Sequence, residues 1–207
     1  MAVRTGDSKL RSVYLVFDTL SETRGASVVS TRADQSGFPL IIGVGNACRS
    51  DDGVGIAVAR RLRDAKAPAR IIDASGEGAA LMELWRPYSQ VTLVDAVRSG
   101  GRPGRIVRID ATRQRVPSDF FHYSTHAFSV AEAVEMARAL DVLPARLVIY
   151  GIEGADFSPG FRLTPAVNRA ADEVARRLLD ELFGDGAIGR ESGDQRRTGE
   201  SQCTNSL

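Results

Sequence analysis

Along the middle of this chain, stretches of continuous apolar residues alternate with stretches apolar on one helical face only, and this alternation limits the fold more than any other feature. The segments "FPLIIGVG", "ARIIDAS", "QVTLVDAV", "GRIVRIDA" and "ARLVIYGI" read as strands. Between and after them, "DGVGIAVARRLRDA", "GAALMELWRPY", "AFSVAEAVEMARAL" and "TPAVNRAADEVARRLLDELF" carry apolar residues at helical spacing. A strand apolar throughout must be covered on both faces, and intervening helices supply that cover. The pattern predicts a single three-layer α/β domain, with a mainly parallel, twisted, five-stranded sheet and helices on both faces. In such sheets ligands bind beyond the carboxyl ends of the strands.

The 207 residues suffice for one domain with a full core. Residues 1–37 and 184–207 are polar and are expected to be disordered tails, which leaves 38–183 as the domain. A short apolar patch, Val13 to Phe17, interrupts the first tail. The net charge of +1 gives no field suited to nucleic acid or an anionic membrane. No apolar run reaches the length of a membrane span. The two cysteines, Cys48 and Cys203, cannot form a disulfide framework and fit a reducing, cytoplasmic setting.

The first strand, loop and helix, "LIIGVGNACRSDDGVGIAVARRL", have the outline of a phosphate-binding unit. The details oppose it. Cys48 stands where the dinucleotide fingerprint needs its third glycine, and no Gly-Lys-Ser/Thr follows. Asp51 and Asp52 would repel a phosphate; two unit charges about 4 Å apart repel by about 4 kcal/mol near a protein surface. The loop suits a cation. Asp51 is expected to cap the helix that follows, and Asp52 to be free for a ligand. Gly53 and Gly55, both poor helix formers, suggest close approach of the helix to the sheet or of a ligand to the backbone. Asp95 ends the third strand at the same edge, and His126 stands just before a helix. Two carboxylates and an imidazole form a set with open positions, suited to a transition metal held together with something else.

The motifs "GVGNACRSDDGVG", "DASGEG", "VTLVDAVRSGGRPG", "STHAFSVAEAVEMA", "LVIYGIEG" and "LTPAV" follow one another over about residues 38–183. In this order they resemble the NiFe-hydrogenase maturation endopeptidases, whose fold is phosphorylase/hydrolase-like. The resemblance implies an endopeptidase that removes a C-terminal extension from the precursor of a hydrogenase large subunit. It implies that the enzyme acts after nickel insertion and reads the nickel, which is supplied by the substrate. Carried over by position, the metal-contacting and catalytic residues would be Asp52, Asp95 and His126. Asp52 stands where some members have glutamate, a side chain one methylene longer. "DASGEG" departs from the commoner "DGGTxG" and places Glu77 near the presumed cleft, either as a further participant or as a helix-start residue complementing the dipole. Glu153, in "YGIEG", is a weaker candidate of the same kind.

The chain shows no Ser-His-Asp order, GxSxG elbow or HExxH helix. Cys48 has two aspartates close by in sequence, the wrong surroundings for a reactive thiolate. Metal-assisted hydrolysis remains. The metal either polarises the scissile carbonyl or a water, or only anchors the tail while a carboxylate activates water. The expected state is a monomer with no organic cofactor, no nucleic acid partner and no membrane. Two rival readings are a nickel-checking chaperone that docks without cutting and a phosphate-binding α/β protein.

Overall fold

A computed structural model describes residues 38–117 and 129–184. Of the expected tails 1–37 and 184–207, all but Gly184, which ends the last helix, lie outside the described residues, as do the Val13 to Phe17 patch and His126.

The first apolar run forms β1, Leu40–Val44, buried along its whole length. A 3-10 turn, Ser50–Gly53, leads into α1, Val54–Asp64. There follow β2, Arg70–Ala74; α2, Gly78–Trp85; β3, Gln90–Val97; and β4, Ile106–Asp110. The chain closes with α3, Val130–Ala139; β5, Arg146–Glu153; and α4, Pro165–Gly184. The strand order is β2-β1-β3-β5-β4. Four strands run parallel, and β4 pairs antiparallel with β5 at one edge. This is the mainly parallel five-stranded sheet that the sequence predicts.

Pleat parity sorts the core. Leu40, Ile42, Val44, Val91, Leu93 and Val97 face α2 and α3, packing with Leu81, Trp85 and Val134. Ile41, Val94, Ala96, Val148 and Tyr150 face α1 and α4, packing with Val58, Leu62, Val174 and Leu178. α1 follows β1 toward β2 on one face, and α2 returns to β3 on the other. The chain thus leaves β1 in opposite directions, and a crevice opens beyond the carboxyl ends of β1 and β3. Gly55 lets α1 lie close against this point: a Cβ there would overlap the carbonyl oxygens of Val94 and Val44. The sequence left two uses open for this glycine, and the structure shows helix-to-sheet approach.

Candidate functional site

Two acids meet in the crevice. Asp95 lies on β3 opposite Gly151 of β5 and one position beyond the last β1–β3 pair, Gly43 with Val94. Its register places it on the α2/α3 side of the sheet, with Val91, Leu93 and Val97. It is 9% exposed, and its Oδ1 accepts the N–H of Ala96 at 2.8 Å. Burial pushes its carboxyl up to about 8; the Ala96 N–H opposes the rise and the nearby Asp52 charge adds to it. At neutral pH Asp95 therefore holds its proton in the free protein. Asp52, half-buried in the turn after β1, is also raised by burial, against the Arg49 charge and the Asn46 N–H, which lower it. Gly45 fits the loop around this turn: its φ is 131°, and a Cβ would overlap the Asp52 carbonyl oxygen. The structure thus brings two of the sequence-derived candidates, Asp52 and Asp95, within electrostatic reach of each other. No group of three or more His, Cys, Asp or Glu side chains able to hold a metal is gathered among the described residues.

The expectation for Asp51 is corrected. Neither the 3-10 turn nor α1 receives a side-chain cap at its start. The Asp51 carboxylate is fully buried and turns instead to the loop between β5 and α4. It accepts the N–H of Ala155 at 2.9 Å, of Asp156 at 3.0 Å and of Thr164 at 2.7 Å, and the Thr164 hydroxyl at 3.0 Å. Adjacent residues of a 3-10 turn point about 120° apart, so one aspartate can clamp this loop while the next faces the crevice. No sequence signal identifies these partners, which lie more than a hundred residues away.

Glu77 is the N-cap of α2, accepting the N–H of Ala79 at 3.0 Å and of Ala80 at 2.8 Å. Of its two readings, the helix-start role is the one seen. Glu153, 2% exposed, anchors the β3–β4 loop. It accepts the N–H groups of Ser99 and Gly101 and the Ser99 hydroxyl, at 2.6 to 3.0 Å. Cys48 is exposed and free. Beside it, Gly160 bridges to Arg49 and holds Phe161 outward, 84% exposed.

A family model described as hydrogenase maturation protease matches residues 56–181. A protein of Methanocaldococcus jannaschii described as a hydrogenase maturation protease is 31% identical over 152 residues, covering 69% of this chain and 95% of its own. The hydrogenase expression/formation protein HupD of Rhodobacter capsulatus is 24% identical over 147 residues, covering 69% and 70%. Among solved structures, the hydrogenase maturating endopeptidase HybD from E. coli shares the fold with a TM-score of 0.59 at 19% identity, covering 72% of this chain and 94% of that one.

Proposed function

Because this chain belongs to the hydrogenase maturation protease family, and is thus a peptidase, we propose that it removes the C-terminal extension of a NiFe-hydrogenase large-subunit precursor after nickel insertion. In this reading the nickel arrives on the substrate, and Asp52, Asp95 and His126 complete its shell. The observation that carries the reading is the pairing of Asp52 with a buried Asp95 at the crevice between β1 and β3. A buried acid with one N–H partner among the described residues and a second acid within electrostatic reach is costly unless it is protonated or meets a cation. His126 belongs to this reading through the resemblance of "STHAFSVAEAVEMA" to the family motif alone.

The donor set of two carboxylates and one imidazole leaves positions for substrate ligands. Nickel bound there would supply either a Lewis acid for the hydrolysis or only an anchor for the tail, with a carboxylate then activating water. The chain's own part is to release the Asp95 proton on engagement, since a carboxylate must be deprotonated to ligate, and to hold the cut segment against the crevice. We place the reaction in the cytoplasm, with the enzyme a monomer. No helix among the described residues is long and apolar enough to cross a membrane.

The test is to incubate the purified chain with its precursor, nickel-loaded or nickel-free, and to weigh the products by mass spectrometry. The expected result is release of the C-terminal fragment from the loaded precursor only. Equal release from both forms would remove the nickel-reading step. Stable docking on the loaded precursor without release would favour the non-cutting chaperone.

A further inference from the structure

Three arginines gather in one cleft with no ion-pair partner among the described residues. The cleft, about 530 Å³, lies between the β3–β4 loop and the first turns of α4, and Arg102, Arg105, Arg169 and Glu173 line it. Glu173 is already engaged by Arg176 and Arg177, at 2.9 and 2.7 Å. Glu153 Oε2 and Arg105 Nη1 stand 3.2 and 3.5 Å from where a Gly101 Cβ would be, so the buried Glu153 carboxylate partly offsets Arg105, and the arginines still outnumber the carboxylates at the cleft.

Both walls are held in place. The Gly104 N–H donates to the Glu153 carbonyl at 2.8 Å, and the Glu153 N–H to the Arg105 carbonyl at 2.9 Å. The Glu153 carboxylate fixes the same loop at Ser99 and Gly101. Gly104, at φ 80°, lies so close to α4 that a Cβ would come within 2.7 Å of the Ala166 carbonyl oxygen. The other wall begins at Thr164, which Asp51 clamps. The cleft therefore opens at the same carboxyl edge as the acid pair. Its β4 wall stands two strands from β3, about 10 Å in the plane of the sheet, and its α4 wall lies on the face opposite Asp95. An extended peptide crossing the edge therefore needs at least about three residues to reach it.

Resting on the peptidase function proposed above, we propose that this cleft is a substrate subsite that takes an acidic side chain of the precursor, at least about three residues from the cut bond. Guanidinium forks match a carboxylate with paired N–H donors, and charge complementarity selects the occupant.

Two measurements test it. The first is fluorescence anisotropy at low salt, with a labelled peptide of alternating alanine and glutamate and its glutamine twin. The glutamate peptide should bind at least about fivefold tighter, and Arg105→Gln and Arg169→Gln should each raise its Kd about fivefold. Arg70→Gln makes the same charge change at the exposed start of β2, and should leave Kd within about twofold. The second is cleavage of the nickel-loaded precursor. Arg169→Gln should raise KM, and Arg169→Glu should be rescued by an acid-to-arginine change in the precursor at least about three residues from the cut. Equal binding of the two peptides would overturn the subsite, as would an equal effect of Arg70→Gln. Capture of inorganic phosphate without a preference for the glutamate peptide would make it a phosphate site and also overturn it. If the wild-type chain leaves the loaded precursor uncut, the peptidase reading fails, and the anisotropy series still decides the carboxylate subsite.

Discussion

In the turn after β1, the Asp51 carboxylate accepts four hydrogen bonds from Ala155, Asp156 and Thr164 in full burial, while Asp52 lies within electrostatic reach of Asp95. The consequences of amidation differ accordingly. An asparagine at 51 keeps one acceptor and turns an N–H₂ toward a donor. Asp51→Asn should therefore destabilise the protein by about 2–3 kcal/mol, read as a lowered midpoint in urea. Asp95 gives a prediction in pH. Its folded pKa of about 8 lies above the ordinary aspartate value of 3.8, so between those limits the folded state holds a proton that the unfolded state has lost. Stability from this group is full below the lower value and is lost as pH rises through the upper one, with a slope of up to about 1.4 kcal/mol per pH unit. Asp95→Asn mimics the protonated acid. It should flatten this slope and be more stable than the wild type above pH 8. Urea midpoints at a series of pH values check both; a wild-type slope unchanged by the substitution would place the titration elsewhere.

At the scale of elements, α1 reaches the sheet only because Gly55 has no side chain. Gly55→Ala would force the helix off the Val94 and Val44 carbonyls, costing about 3 kcal/mol, or about 10 °C in melting temperature for a domain of this size. It would also shift the turn that carries Asp52; a melting temperature within two degrees of wild type would show that the helix has room to spare. The elements themselves were legible in the sequence because each has a strong period: continuous apolar runs for the parallel strands and helical spacing for α1 and α4. The antiparallel direction of β4 was not legible. "GRIVRIDA" states a strand, but its direction is set by the connection, which here brings Ile106 opposite Ile152. α4 begins at Pro165, and the Thr164 carbonyl accepts the Asn168 N–H at 2.8 Å. Its hydroxyl, however, serves Asp51.

For the whole molecule, the site is what the sheet order makes of local motifs. The β2-β1-β3-β5-β4 order puts a turn after β1 beside a residue on β3 more than forty positions later. Asp52 and Asp95 could be picked out in the sequence as acids near strand ends, since that edge is where such sheets bind ligands. The clamps could not. Local preference assigns Asp51 to a cap, whereas its partners are 104 to 113 residues away, and only the folded chain brings them near. Glu153 is likewise an anchor for a loop that begins 54 positions before it. These buried acids hold two walls, and the acid pair stands between the strands. The account therefore rests on a division: Asp51 keeps the fold and Asp52 meets the metal. The most direct test is the initial rate of fragment release from the nickel-loaded precursor by Asp52→Asn, with its thermal melt recorded in parallel. The account predicts a rate reduced at least about a hundredfold and a melting temperature equal to or slightly above wild type, because a carboxylate whose charge burial disfavours is replaced by a neutral amide. Normal release by Asp52→Asn would contradict it.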